Sequence, residues 1–303
     1  SDVEQLPKAL VPQPVYALAM TASDRNDEVK VSGAITKLIE EDPSLRFEHE
    51  GDTNQWLLWG QGEMHLRVAA DRLKNRSGLS VNVERPRVPY KEAIRKGVSQ
   101  HSRYKKQTGG HGQFGDVHID IKPLPRGAGF QFDEKVVGGS VPRQFIPAVA
   151  AGVQEFLHKG PLGFPVVDVS VTLTDGQHHA VDSSEMAFKT AGRMAMSEGL
   201  SKCDPVLLEP ILHVDISVPS EITSRVNSVV SSRRGQILGF DSRPGWLGWD
   251  ILSAQLPQSE MHDLIIKIRS LTSGVGTFTW KFDHLQELQG RLAEEVVEAY
   301  AAE

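Results

Sequence analysis

The stretch YKKQTGGHGQFGD, Tyr104–Asp116, sets Lys105 and Lys106 ahead of four glycines at 109, 110, 112 and 115. The lysines supply charge for phosphate, and glycine lets backbone N–H groups approach a ligand closely. Tyr104, His111 and Phe114 supply flat faces for bases, and Gln107, Thr108 and Gln113 are counted with them in the same candidate RNA-binding stretch. Basic, planar and backbone-accessible together suit single-stranded or irregular RNA. The competing reading is a solvated hairpin tip. Gly110 to Gly115 also spell G-x-G-x-x-G. A dinucleotide fingerprint, however, follows a strand and opens a helix. Here a polar basic run precedes it, and DVHIDI follows, whose Val117, Ile119 and Ile121 alternate as a strand. No Gly-Lys pair occurs in the chain, so there is no Walker loop.

Other constellations are weaker. His178 and His179 are neighbours, which seldom ligate one metal, and no cysteine or carboxylate stands at a usual ligand spacing, so no metal site is expected. His179, Asp182 and Ser183 are the residue types of a hydrolytic triad. Yet no G-x-S-x-G elbow is present, and DSSEMAF reads as a helix N-cap with Glu185 in the first turn. No catalytic residue is therefore assigned. Glu63 suits the start of a helix, with His65 on its surface or packed edge. Arg233 and Arg234, in SSRRG, sit where a helix ends; they suit its dipole and could equally meet a phosphate.

The elements that must position these residues follow from length and pattern. The 303 residues exceed one small core. No run of about 18 apolar residues is present, so no membrane partner is expected. SDVEQLPKAL lacks the pattern of a secretory signal, and Cys203 is the only cysteine; a reducing cytoplasm is the expected home. The net charge of −6 hides an asymmetry. Lys91 to Gly115 carries Lys91, Arg95, Lys96, Arg103, Lys105 and Lys106 against Glu92 alone, whereas the segment after Asp283 is acidic.

Residues 1–11 read as a linker. Residues 12–85 read β-α-β-β-α-β: a strand from Val15, a helix with Val31, Ile35 and Leu38, strands LRFEHE and QWLLWG, a helix with Leu66, Ala70 and Leu73, and the strand LSVNVE. The order returns in residues 204–303. There ILHVDISV alternates, Val226, Val229 and Val230 form a stripe, Ser259 is expected to cap a second helix, and TFTWKF closes the unit. A last helix is expected to carry Leu285, Leu288, Leu292, Val296 and Tyr300. Residues 86–203 hold the glycine loop, the strand PVVDVSVTL, a polar loop TDGQHHAVDS and two helices. The expected class is α+β, with two ferredoxin-like domains flanking a mixed α/β domain.

YKKQTGGHGQFGDV, GGSVPRQFIPAV, GFPVVDVSVTL, HAVDSSEMAFKTA, LLEPI, EDPSLRF and GQGEMHL together resemble translation elongation factor G over nearly the whole chain from about Pro14. The resemblance implies the third, fourth and fifth domains of that factor over 12–85, 86–203 and 204–303, with a ribosomal-protein-like fourth domain. It implies an arm that mimics transfer RNA, with Tyr104–Phe114 and His178–Ala180 at a tip that meets messenger and transfer RNA in the decoding site. It also implies that the fifth domain faces the stalk base and large-subunit RNA, where Arg233 and Arg234 are candidates. No cofactor is expected in these residues. GTP and Mg²⁺ belong to the family's N-terminal GTPase domain, which is not among them and would be a partner in the parent protein. His111 stands where the family usually has arginine, as in a divergent paralogue. Ribosome recycling and tetracycline-type ribosome protection are alternative functions on the same architecture; a metabolic enzyme on ferredoxin-like units is a distant one.

Overall fold

The computed structural model describes residues 11–107 and 109–302. Thr108 and nearly all of the expected linker lie outside the described residues.

The first domain runs β1 (Tyr16–Ala22), α1 (Glu28–Glu41), β2 (Arg46–Glu50), β3 (Gln55–Gly60), α2 (Glu63–Ser77) and β4 (Val81–Glu84). Its antiparallel sheet has the order β2-β3-β1-β4, the ferredoxin-like arrangement expected from the element order. Val31, Ile35 and Leu38 of α1 and Leu66, Ala69 and Leu73 of α2 bury one stripe each, as spacings of three and four dictate. Gly78 ends α2 in the left-handed region at φ 67°, where its N–H reaches the carbonyls of Leu73 and Lys74.

The middle domain contains β5 (Lys91–Ile94), β6 (Val98–Lys106), β7 (Gln113–Pro123), β8 (Phe130–Glu134), α3 (Ile146–Leu157), β9 (Val169–Gln177) and α4 (Glu185–Leu200). The sheet order is β6-β7-β9-β8, with β8 and β9 parallel. Val117, Ile119 and Ile121 of β7 and Val169, Val171 and Leu173 of β9 are fully buried beneath Val149 and Val153 of α3 and Phe188, Ala191, Ala195 and Met196 of α4. The two helices approach at glycines. A Cβ on Gly152 would overlap the Lys189 carbonyl, and one on Gly192 would lie 2.7 Å from the Val149 oxygen. The expected polar loop is shorter than its composition suggests: Thr174–Gln177 extend β9, because Asp175–Gln177 pair with Asp116–His118 of β7 beyond a register shift at Thr174.

The last domain runs β10 (Pro205–Pro219), α5 (Thr223–Ser232), β11 (Gln236–Ser242), β12 (Trp249–Pro257), α6 (Leu264–Leu271) and β13 (Thr277–Leu288), followed by α7 (Arg291–Ala301). The order β11-β12-β10-β13 repeats that of the first sheet. Two expectations fail here. Ser259 does not cap α6: Pro257 leads into a 3-10 turn, Gln258–Glu260, and the helix begins only at Leu264. Leu285 and Leu288 belong to β13 rather than the last helix, because Gly290 at φ 69° turns the chain between the two elements.

The chain forms two compact units, one of residues up to Pro89 with Pro210–Asp283, the other of Tyr90–Glu209 with His284 onward.

Candidate nucleic-acid interface

Strands β6 and β7 form an antiparallel hairpin whose last pair is Lys106 opposite Gln113. The loop beyond holds Gln107, Gly109, Gly110, His111 and Gly112. Pairing sorts the flanking side chains by face. Tyr104 lies on the inner side: its ring packs at the edge of the core and its hydroxyl donates to Gln113 Oε1 at 2.8 Å. Tyr104 therefore braces the hairpin across its two strands. Lys105 and Lys106 are exposed, and among the described residues neither meets a carboxylate. Gln107, Gly109, Gly110 and His111 are exposed as well.

The second predicted loop lies beside the first. Phe114 N–H donates to the Asp182 carbonyl at 2.8 Å, and Gly112 N–H donates to Asp182 Oδ1 at 3.0 Å. Ser183 Oγ donates to the Phe114 carbonyl at 2.9 Å and accepts from His179 N–H at 2.9 Å. These bonds turn two sequence-distant loops into one surface. They also remove the triad arrangement: the serine hydroxyl donates to the Phe114 carbonyl, and His179 Nδ1, 3.4 Å from Asp182 Oδ2, accepts from the N–H groups of Val181 and Asp182. His178 is exposed and its Nδ1 lies 3.2 Å from the Ser140 carbonyl oxygen. The Phe114 and His179 rings lie 6.3 Å apart. Ser184 caps α4 by accepting from Ala187 N–H, with Glu185 in the first turn as expected.

Arg103 is a member of this surface that motif reading passed over. Its Nε donates to Asp116 Oδ2 at 2.6 Å, its Nη2 reaches Gln177 Oε1 at 3.2 Å, and its guanidinium stands 5.8 Å from the Phe114 ring centre. The signal was present only as alternation: positions 103 and 105 share a face, which register then joins to 114 and 116. Asp182 and Ser183 were visible as residue types, but their role as a latch required the second loop's position.

Arg233 and Arg234 do not belong to this surface. Arg233 donates from Nη1 to the Glu260 carbonyl and to Asp263 Oδ1, both at 2.7 Å, and this holds the Asp263 carboxyl below its ordinary pKa. Arg234, left-handed at φ 57°, donates to Ser259 Oγ at 3.1 Å. Both guanidinium groups brace the turn before α6. The arrangement of the tip, with exposed cations beside a glycine backbone bonded to the second loop through Asp182 and Ser183, can take up a phosphate chain and leave bases to its edges.

The chain is similar in sequence and fold to known proteins. Models of three families match successive segments: Elongation Factor G, domain III, over residues 11–85; Elongation factor G, domain IV, over 86–204; and Elongation factor G C-terminus over 206–296. A protein described as elongation factor G-like, from Synechocystis sp. (strain ATCC 27184 / PCC 6803 / Kazusa), is 57% identical over 293 residues, covering 97% of this chain and 44% of its own length. A crystal structure of a protein from Thermus thermophilus matches with a TM-score of 0.87 at 37% identity, over 100% of this chain and 45% of its own. The chain spans less than half the length of these relatives.

Proposed function

We propose, because the chain belongs to the elongation factor G family, that it is the RNA-facing portion of a ribosome-binding translation factor. Its working tip is the hairpin Tyr104–Phe114 with the His178–Ala180 loop, acting on messenger and transfer RNA in the decoding site during translocation. GTP and Mg²⁺ are assigned to the remainder of such a protein. The observation that carries the reading is the latch. Asp182 and Ser183 hold the two loops together, with Lys105 and Lys106 free to meet phosphate.

A tip of this kind recognises backbone charge and stacked faces rather than a base sequence, which suits a factor that acts on every codon. The test is chemical footprinting of ribosomes with the chain bound. Protection of decoding-site nucleotides is expected, together with its loss in the Lys105→Ala/Lys106→Ala variant. Protection confined to other RNA, or unchanged in the variant, overturns the assignment.

A further inference from the structure

On the outer face of the same hairpin, His101 of β6 and His118 of β7 are direct cross-strand partners. Their rings stack, 4.0 Å between centres and 6° from parallel. Both address one carboxylate. His101 Nε2 lies 2.9 Å from Asp116 Oδ2, and His118 Nε2 lies 3.7 Å from Asp116 Oδ1. Asp116 is fully buried, and its Oδ1 has no hydrogen-bond partner among the described residues. A buried carboxylate oxygen left without a partner is costly, and such an atom commonly marks the place of a water or an ion.

We propose that His101, Asp116 and His118 form a site for a divalent transition metal of the class that includes Zn²⁺. Three potential ligand atoms lie within 4.8 Å of one another. Two ligands of a tetrahedral zinc stand about 3.4 Å apart, given bonds near 2.1 Å. His101 lies 2.9 Å from Oδ2 and His118 3.7 Å from Oδ1, so the two separations bracket that value at different oxygens of one carboxylate, while the three ligand atoms as a set lie within 4.8 Å and must draw together around an ion. Two imidazoles and one carboxylate select zinc and its neighbours over magnesium and calcium, which take oxygen. His101 Nε2 donates to the Asp116 carboxylate, and a metal bound there takes the place of that proton. Both histidines are nearly half exposed, so each ring can rotate about its Cβ–Cγ bond until the lone pairs converge. Arg103 Nε, bonded to Asp116 Oδ2 at 2.6 Å, is the outer partner that fixes the carboxylate. Its charge also opposes a cation nearby, so the site is weaker than one without it. A fourth position stays open to solvent. Motif reading found no metal spacing because the two histidines meet through strand register and not through sequence proximity.

The experiment titrates the full chain with ZnCl₂ by calorimetry and with CoCl₂ by visible absorption, and follows the histidine ring protons by NMR. One zinc per chain is expected, with the His101 and His118 resonances moving first and a cobalt spectrum of low coordination number. His101→Ala and His118→Ala should each weaken binding by about tenfold or more, at least the loss usual for removing an outer partner. His158→Gln, remote from the cluster, should change nothing. The wild-type NMR readout decides even if a variant fails to fold. Absence of binding, movement of other histidines first, or undiminished affinity in the double alanine variant overturns the proposal.

Discussion

Asp182 Oδ1 accepts the N–H of Gly112 at 3.0 Å, across the gap between two loops 70 residues apart in the chain. The backbone carbonyl of the same aspartate accepts the N–H of Phe114. One residue thus holds the hairpin twice, once through its side chain and once through its main chain, and the two bonds are separable by mutation.

Asp182→Ala removes the first bond and leaves the second. The loss of one hydrogen bond at a half-buried site is worth about 1 kcal/mol. Hydrogen exchange at Gly112 should therefore quicken by about fivefold, since 1.4 kcal/mol corresponds to tenfold, while Phe114 keeps its protection. Equal loss of protection at both amides would show that the side chain supports the whole hairpin end, and loss at neither would dissolve the latch.

The platform beneath the tip depends on glycine. Gly152 lies against the Lys189 carbonyl with no room for a Cβ. Gly152→Ala must push α3 away from α4 and should cost about 3 kcal/mol, the upper end for forcing one extra carbon into a packed contact. Urea unfolding followed by circular dichroism measures this. A change below about 0.5 kcal/mol, the range of an ordinary surface substitution, would mean that the helices part freely.

How far such relationships can be read from sequence depends on their range. The stripes of Val31, Ile35 and Leu38, and of Val117, Ile119 and Ile121, are local, and the repeat of β-α-β-β-α-β in the first and last domains followed from them. Leu285 and Leu288 misled because spacings of three and four also occur by chance in a strand; only the left-handed Gly290 separates strand from helix. Ser259 misled because a capping residue type is common in turns. The tip lysines and glycines were legible as chemistry. Asp182 as a latch and the His101–His118 pair were not, since each arises from pairing between segments whose register no local pattern states.

Glu92 predicts an unusual pH dependence. It is buried, its Oε2 accepts the Leu162 N–H at 2.7 Å, and its Oε1 has no hydrogen-bond partner among the described residues. Burial pushes its pKa up to about 8 from an ordinary 4.5, against the smaller opposing pull of the Leu162 bond. Between these values the folded chain holds a proton that the unfolded chain has released. Stability from this group is therefore full below about pH 4.5, falls as pH climbs to about 8, and is level above that, a loss of a few kcal/mol. Denaturant unfolding at about pH 5.5, 7 and 8.5 should show the decline, and Glu92→Gln should flatten it. An identical slope in the variant would assign the effect to other groups.

The last prediction returns to Lys105 and Lys106. Both are exposed, without a carboxylate partner among the described residues, and flank a loop whose backbone is open. If each neutralises one phosphate of a single-stranded segment, each releases counterions on binding, and log K falls against log salt by about 0.7 per contact. Measured with a fluorescent single-stranded RNA, the slope for Lys105→Ala/Lys106→Ala should be shallower than that of the parent chain by about 1.4. The change should be the same on RNAs of different sequence, because phosphate contacts carry no base information. Arg233 and Arg234 supply the contrast, since their guanidinium groups already hold Glu260, Asp263 and Ser259. Arg234→Ala should leave the slope within the error of the measurement. A slope unchanged by the lysine substitutions but reduced by Arg234→Ala would move the nucleic-acid interface from the hairpin to the turn before α6. A slope near zero in the parent chain would remove phosphate recognition from the tip and leave Lys105 and Lys106 as solubilising charges on a tight hairpin.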